Sequence, residues 1–327
     1  MVRYLLRKVL TWFVTIFLAT NITYFLANFF LDPTSIYVGR RPPLPRDQIL
    51  ATLQPLNLNP EENIFIRWWR WISGIVTRWD WGYAPLGTPV GEEISYRIWV
   101  SAQLLLGATV IAVIIGVLLG VFAAGRQYSG WDRVIQGAAI FALNLHIVVA
   151  GMLVVLLALW INRTAGVRLL YVTGAASLDV EGFFPSLIDF VQHLTLPTIA
   201  LVTTSFASYY FMQRSLLLDN IEADYVRTAR AKGLTRTQAI RRHALRTSII
   251  PVATSVAFSI PGIFTGAVLT ETIFNWHGMG EYFIKTLNGN DINGVVAVAA
   301  FGALTTAIGA VLADFLVVYL DPRVRVS

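Results

Sequence analysis

Six long apolar segments dominate this sequence and restrict the folds that are open to it. A helix that crosses a bilayer needs about 20 mostly apolar residues. Six segments meet this requirement, at about 9–31, 101–124, 134–161, 194–217, 248–270 and 295–319. The composition agrees, because 56% of the 327 residues are hydrophobic and only 13% are charged, whereas soluble domains carry about 25% charged residues. We therefore predict an all-α polytopic membrane protein with six transmembrane helices.

The first apolar segment follows Arg3, Arg7 and Lys8, which is also the arrangement of a secretory signal peptide. Its apolar run is longer than a signal h-region, and no small-x-small cleavage site follows it. We interpret the segment as a retained helix. Residues 1–31 then form a basic cytoplasmic start followed by the first span.

The positions of arginine and lysine predict which side of the membrane each loop occupies. Cytoplasmic loops are enriched in these residues, whereas long translocated loops are poor reporters. With the N-terminus inside, the inside segments carry 15 of the 25 cationic residues. These segments are 1–8, 125–133, 214–246 and 321–327. Since the short outside loops 163–193 and 271–294 carry only three, both termini are predicted to be cytoplasmic, with 320–327 as a tail.

Residues 32–100 are predicted to form a long extracytoplasmic segment. Its first half is rich in proline, and Ile64 to Trp81 then contains five tryptophans. Because tryptophan prefers the membrane–water interface, we predict a short helix that lies against the outer face of the bilayer. An aromatic surface that binds a ligand is the alternative. The run after Pro89 is predicted to lie on the membrane before the second span begins.

The basic segment 214–251 is predicted to contain a short helix that ends at a glycine turn. Alanine, arginine and leucine are good helix formers, so residues 221–231 should be helical. Gly233 suits the left-handed position that ends a helix, and Lys232 is favourably placed at the negative end of the helix dipole. The segment therefore contains a defined element rather than a plain basic loop.

A second short helix is predicted to follow the glycine turn and lead into the fifth span. Thr235 is a plausible N-cap, and Gln238 stands three residues later, as a capping box requires. The helix should run from about Arg236 to Arg246, with Pro251 at the start of the span. Helix, glycine turn and helix together make residues 218–247 a compact loop on the cytoplasmic side.

Two kinds of side chain make this loop a candidate contact surface. Small residues permit the close approach of another surface, at Ala223, Ala229 and Ala231. Cationic residues offer charge to that surface, at Arg227, Arg230 and Lys232. The alternative is a basic loop that only sets topology or contacts anionic lipid head groups.

Several stretches resemble a known family. DYVRTARAKGL, followed by Pro251, resembles the "EAA" motif of bacterial ABC import permeases, in the wording of the peptide and nickel branch. WDWGYAPLGTPV, ETIFNWHGMGEYF and the closing DPRVR are similar to further segments of that branch, although Trp81, Ala84 and His277 depart from its usual residues. The chain thus resembles the B-type membrane subunits of oligopeptide and dipeptide importers.

The resemblance implies the architecture of a type I ABC importer permease, with residues 101–319 as its core. In that family the short cytoplasmic helix docks into a groove of the ATPase subunit. The matching residues here are Glu222, Ala223, Asp224, Tyr225, Arg227, Thr228, Ala229, Arg230, Ala231, Lys232, Gly233 and Leu234. The outside loop of related importers meets the substrate-binding protein. The candidates for that contact are Trp276, Gly278, Gly280, Asn290 and Asp291.

The resemblance also implies partners and a division of labour. The chain has no G-x-x-x-x-G-K-[ST] phosphate loop, so ATP and Mg²⁺ are expected on two ATPase subunits rather than here. A homologous second permease, an extracytoplasmic binding protein and the lipid bilayer of the bacterial inner membrane complete the expected set, without nucleic acid. This chain is then a non-catalytic subunit, with no cofactor or metal of its own.

Alternatives to peptide transport stay open at this stage. Nickel or another small solute belongs to the same branch. A secondary transporter would show broken spans and buried ionisable pairs, and a membrane enzyme would show a set of catalytic residues near a span. The polar residues within the predicted spans are Asn144, His146 and Asp314. They are candidates for a polar pathway, or simply bond a neighbouring helix.

Overall fold

The fold is described from a computed structural model for residues 2–38, 41–42, 44–177, 180–265 and 267–320. This described part consists of helices and loops, with one isolated β-bridge between Tyr83 and Pro89 and no strand. The α-helices are α1 (Val2–Phe30), α2 (Arg46–Leu53), α3 (Ile64–Arg78), α4 (Val90–Gly125), α5 (Gly130–Asn144), α6 (Ile147–Ala165), α7 (Phe183–Ile221), α8 (Asp224–Ala231), α9 (Arg236–Ala239), α10 (Leu245–Thr265), α11 (Val268–Phe274), α12 (Met279–Asn288) and α13 (Ile292–Leu320). The closing DPRVR motif lies outside the described residues.

Five helices within the described part are long and apolar enough to cross a membrane. They are Arg7–Phe30 of α1, α4, α6, α7 and Ile292–Leu312 of α13. This confirms the prediction of an all-α polytopic membrane protein. The predicted fifth span, 248–270, overlaps α10 but extends into α11. Several side chains of α10 are not among those described, so the count of six spans stays a prediction.

The predicted third span is not one helix, and this part of the prediction was wrong. Helix α5 ends at Asn144, and α6 begins at Ile147 after two residues with extended backbone. The His146 side chain accepts a hydrogen bond from the Val148 N–H at 3.3 Å and caps α6. By capping a new helix at Ile147, the His146 side chain favours a helix start here over continuation of α5.

Helices α4 and α7 form the central pair of the bundle, and two glycines set their spacing. A Cβ on Gly116 would lie 2.6 Å from the carbonyl oxygen of Phe206, and one on Gly120 would lie 2.9 Å from that of Tyr210. Backbones approach this closely only where a residue has no side chain. The Gly-x-x-x-Gly pair in the sequence is therefore a packing contact, whereas the second such pair, Gly262 with Gly266, lies outside the described side chains.

The tryptophan-rich helix α3 packs onto the bundle. Trp71 is buried and stacks on Tyr24 of α1 with ring centroids 4.7 Å apart. The Trp68 indole N–H donates to Asn21 at 2.5 Å, while Trp69 and Trp79 stay exposed. The helix thus packs against α1, and only part of its aromatic surface is left exposed to contact the membrane–water interface.

The run that follows Pro89 does not form a separate membrane-surface element. Helix α4 begins at Val90 and continues without a break to Gly125. Val90 and Ile94 are fully buried in the same apolar cluster as Trp81 and Ile292. The other face, with Tyr96 and Trp99, stays exposed. Because this part of α4 is continuous with the second span, the prediction of a separate stretch along the membrane was wrong.

Candidate functional site

The basic loop between α7 and α10 is built from a short helix with sharp ends. The predicted helix over 221–231 is interrupted, since α7 ends at Ile221 and α8 begins only at Asp224. Ala223 has an extended backbone at the start of α8. The Tyr225 hydroxyl donates to Asn220 at 2.5 Å across this corner, and the corner lets α8 change direction relative to α7.

The end of α8 has the hydrogen-bond pattern of a Schellman motif. The Gly233 N–H donates to the Arg230 carbonyl at 3.0 Å, and the Leu234 N–H donates to the Ala229 carbonyl at 3.3 Å. Gly233 has φ +95°, a left-handed conformation that glycine adopts without the steric cost that other residues meet. The sequence prediction for Gly233 is therefore confirmed.

One face of α8 is fixed to the protein's own bundle. Val226 and Ala229 are buried in a cluster that includes Ala124 of α4 and Leu217 of α7. Leu234 packs against the same cluster. The prediction that Ala229 lies ready for a partner surface was wrong, because its small side chain serves the contact with this chain's own helices.

The predicted capping box at the next helix start is present. The Thr235 hydroxyl accepts from the Gln238 N–H at 3.3 Å, and the Gln238 side chain accepts from the Thr235 N–H at 3.0 Å. Helix α9 then passes through a π-helical turn, Ile240–Ala244, directly into α10. Pro251 therefore lies inside α10 rather than at its start, which corrects the predicted boundary.

The opposite face of α8 is exposed and rich in charge. The exposed residues on this face and in the turns before and after α8 are Glu222, Asp224, Tyr225, Arg227, Thr228, Arg230, Ala231, Lys232 and Gly233. Within the described part, Arg227 forms an ion pair with Asp224, and the nearest guanidinium nitrogen and carboxylate oxygen are 3.9 Å apart. Both side chains are highly exposed. The loop thus presents a charged surface on a helix whose other side is anchored.

A buried ion pair fixes the helices beside this loop. The Arg214 guanidinium of α7 donates two hydrogen bonds of 2.9 Å to the Asp132 carboxylate in the first turn of α5. The Tyr128 N–H donates a third, also at 2.9 Å. Hydrogen bonding from Arg214 is the main cause that lowers the pKa of Asp132. The carboxylate is thus held charged, and α5 is tied to α7 close to α8.

At the other end of the bundle, the loop before α12 is closed by a buried glutamate. Glu271 is fully buried, and its carboxylate accepts from the Ser101 hydroxyl at 2.6 Å and from the N–H groups of Gly280 and Glu281 at 2.8 and 3.1 Å. The Ser101 hydroxyl in turn accepts from the Met279 N–H at 2.8 Å. A carboxylate is favoured at a helix N-terminus, where these N–H groups have no partner within the helix.

Most residues that the resemblance suggested for binding-protein contact are buried, in this loop, in α12 or just before α13. Trp276 is fully buried and its indole N–H donates to the Val100 carbonyl at 3.0 Å. A Cβ on Gly280 would lie 2.7 Å from the Val268 backbone. Gly278 and Asp291 are also buried. These four residues are therefore packed within the chain and do not form an exposed contact surface, which corrects that part of the prediction.

Comparison with known proteins agrees with this geometry. Residues 116–326 match the family described as "Binding-protein-dependent transport system inner membrane component". The chain belongs to this family. It is 39% identical over its full length to the "Oligopeptide transport system permease protein OppB" of Mycobacterium tuberculosis, which it covers completely. It is 32% identical to the "Dipeptide transport system permease protein DppB" of Escherichia coli K12, with 90% of each chain covered.

Sequence reasoning missed the Glu271–Ser101 contact of this permease. Glu271 stands at the edge of the predicted fifth span, beside an outside loop that was expected to be exposed. The available signal was the clustering of Gly278 and Gly280 after it, because neighbouring glycines often mark a close backbone approach. The sequence does not reveal that Gly278 approaches Ser101 and Glu271, or that Gly280 approaches Val268.

Asn290 and Asp291 join the outer loop to the start of α13. The Asn290 side chain accepts from the Asp32 N–H at 3.0 Å, and the Asp291 carboxylate accepts from the Gly294 N–H at 2.9 Å. Asp291 also lines a cavity of about 200 Å³ together with Tyr282 and Lys285. Asn290 is half-buried, so its partial exposure is compatible with the predicted contact.

Asp291→Asn is expected to stabilise the permease above pH 6 and to have little effect near pH 4. Burial raises the pKa of Asp291 from 3.8 to about 6, so folding favours its protonated form and stability falls as the pH rises through this window. Asparagine keeps the N-cap and removes that cost, which is roughly 2 to 3 kcal/mol. Thermal unfolding of both purified proteins between pH 4 and 8 measures the difference, and a constant difference across this range contradicts the assignment.

The three polar pathway candidates do not come together in the structure. Asn144 is exposed at the end of α5 and bonds the Ile140 carbonyl of its own helix at 2.7 Å. His146 caps α6, as described above. Asp314 of α13 forms an ion pair with Lys8 of α1, which supports the interpretation that it bonds a neighbouring helix.

Proposed function

We propose that this permease is one of two transmembrane subunits of an ATP-driven peptide importer, and that α8 with the Gly233 turn is its docking site for an ATPase subunit. The observation that carries the proposal is the two-sided character of α8. Val226 and Ala229 anchor one face to the bundle, while the charged face with Tyr225 and Arg227 is left open. When a partner bound to that face moves, α8 moves with it and displaces the helices that pack against its other face.

The same arrangement supports a route for mechanical coupling. The cluster beneath α8 includes Ala124 of α4, Leu217 of α7 and Ile240 of the π-helical turn. A displacement of α8 is therefore passed to three helices at once. ATP binding would close the two ATPase subunits, α8 would follow, and the cavity between the two permeases would open outward.

The proposal includes orientation and the other partners. The enrichment of arginine around α8 supports a cytoplasmic location for this end, by the positive-inside rule. One permease chain supplies half of a pathway, so a homologous second subunit is required. An extracytoplasmic binding protein delivers the cargo at the opposite end, where Asn275 and His277 are exposed and neighbour the buried Trp276. Peptides are the proposed cargo because two relatives above carry oligopeptide and dipeptide in their names.

Substitutions on the open face of α8 are expected to abolish ATPase association while leaving the permease folded. Ala231→Trp places a bulky ring on an exposed position, and Arg227→Glu reverses a charge that is exposed by 71% of its side chain. Neither side chain packs in the cluster beneath α8. Co-purification of the ATPase subunits from membranes and uptake of labelled peptide are the measurements.

Arg133→Glu is the matched control, because Arg133 is exposed near the same end of the bundle but lies on α5. It should leave both measurements unchanged. Unchanged ATPase recovery and uptake in Ala231→Trp and Arg227→Glu would falsify the docking proposal. Normal ATPase recovery with uptake of nickel rather than peptide in the parent complex would keep the docking site and reject the cargo.

A further inference from the structure

Helices α7 and α10 enclose a groove of about 350 Å³ whose lining is unusually rich in hydroxyl groups. The hydroxyl-bearing residues that line it are Thr204, Ser205, Ser208, Tyr209, Ser255 and Ser259. Among the described residues that line it, none is charged. The groove is distinct from α8, from the Glu271 loop and from the pathway candidates that the sequence suggested.

Most of these hydroxyl groups have unused hydrogen-bonding capacity. Thr204 and Ser259 bond carbonyl groups of their own helices, at 3.1 Å to Leu201 and 2.7 Å to Val256. Within the described part of the chain, the hydroxyl groups of Ser205, Ser208, Tyr209 and Ser255 have no hydrogen-bond partner. Each is therefore free to donate one hydrogen bond and to accept others.

The groove lies near the middle of the predicted spans, where an unpaired hydroxyl group has the highest free-energy cost. Ser205 is near the centre of the predicted span 194–217, and Ser255 is near the centre of α10. A hydroxyl group that faces hydrocarbon without a partner loses its hydrogen bonds to water. The outward surface of the bundle elsewhere is instead aliphatic or aromatic, as at Leu118, Phe141 and Leu156. This contrast indicates that the groove faces a polar space rather than lipid.

A buried polar contact continues from the groove toward α8. The Gln213 side chain, one turn beyond Tyr209 on α7, donates to the Ser248 hydroxyl of α10 at 2.9 Å. Both residues are fully buried, and the Gln213 side-chain oxygen has no partner in the described structure. Helices α7 and α10 thus meet along a polar seam, which leads from the groove to the α8 end of the bundle.

We propose that the groove is the wall that this subunit contributes to the peptide pathway, and that its hydroxyl groups bond the peptide backbone. The inference rests on the proposed function. Serine and tyrosine hydroxyls can each match either the N–H or the C=O of an amide. Because the described residues that line the groove include no charged group, it does not select peptides by the charge of their side chains. Recognition here is of the amide chain that all peptides share.

The absence of cysteine from the sequence makes a direct test possible. Ser208→Cys and Ser255→Cys are introduced singly into the complete transporter in membrane vesicles and treated with a membrane-impermeant methanethiosulfonate. Leu156→Cys, at an outward aliphatic position, is the matched control. We expect the two groove cysteines to react at least about tenfold faster than the control, because the reactive thiolate requires water. A transported peptide should slow this reaction in the presence of ATP.

Two outcomes overturn the inference. Groove cysteines that react no faster than Leu156→Cys show that the groove faces lipid. Groove cysteines that react in the isolated permease but are fully shielded in the complete transporter, with or without ATP, show that the groove is the contact with the second permease. Peptide uptake and ATPase recovery of the parent complex are measured in parallel, so the proposed function can survive either outcome or fail independently of it.

Discussion

Gly278→Ala is expected to remove most of the folded permease, because the position has no room for a methyl group. A Cβ there would lie 2.4 Å from the Ser101 hydroxyl oxygen and 2.5 Å from the Glu271 carboxyl carbon. The new atom must displace the buried carboxylate from the start of α12. Overpacking costs about 1 to 3 kcal/mol, and a buried carboxylate that loses a hydrogen bond adds a similar amount.

The measurement is the thermal unfolding midpoint and the monodisperse yield of the purified protein. Gly107→Ala is the control, since a Cβ on Gly107 of α4 would meet nothing within 4 Å. This control should match the parent or exceed it slightly, because alanine favours a helix over glycine by roughly 1 kcal/mol. Equal midpoints for the two variants would show that the Glu271 contact is not needed for the fold.

Asp132→Ala is the second substitution with a large expected effect. The Arg214 side chain is 16% exposed. The substitution removes the carboxylate that accepts two hydrogen bonds from its guanidinium group. Removing one partner of a buried ion pair costs about 3 to 5 kcal/mol. We expect a markedly lower unfolding midpoint, because α5 then keeps its apolar contacts with α7, at Ala139 and Ala142, but loses its ion pair with that helix.

Glu61→Ala is the control for that substitution. Glu61 pairs with Arg46 on the surface, where both side chains are more than half exposed, and exposed pairs contribute about 0 to 1 kcal/mol. Since the pKa of Asp132 is lowered in the folded protein, its contribution should also disappear as the pH falls through that lowered value. A midpoint for Asp132→Ala within the range of Glu61→Ala would contradict a stabilising role.

Local rules predicted the parts of the site that depend on a few adjacent residues. Gly233 and the Thr235–Gln238 capping box were read from spacing alone, because their hydrogen bonds close within one turn of chain. The apolar spans were equally visible, since the requirement for about 20 apolar residues acts on each segment separately. These features needed no knowledge of which helices are neighbours.

The remaining features depend on contacts between distant parts of the chain. Ala229 looked available to a partner because nothing local reveals that Ala124 and Leu217 cover it. Glu271 looked like an exposed loop residue because Ser101, its hydroxyl partner, is 170 positions away. The break after Asn144 was missed because apolar residues continue on both sides of it, so Asn144 and His146 looked like polar positions within one span. The extended backbone of Leu145 and His146 reveals it.

The unbroken course of α4 connects the two ends of the molecule. Ser101 holds Glu271 near one end of this helix, and Ala124 lies beneath α8 near the other, roughly 35 Å away at 1.5 Å per residue. Between them, Gly116 and Gly120 bring the backbone of α4 into close contact with that of α7. In the proposed importer, α4 is therefore one continuous helix between the end that docks the ATPase and the end that receives the cargo.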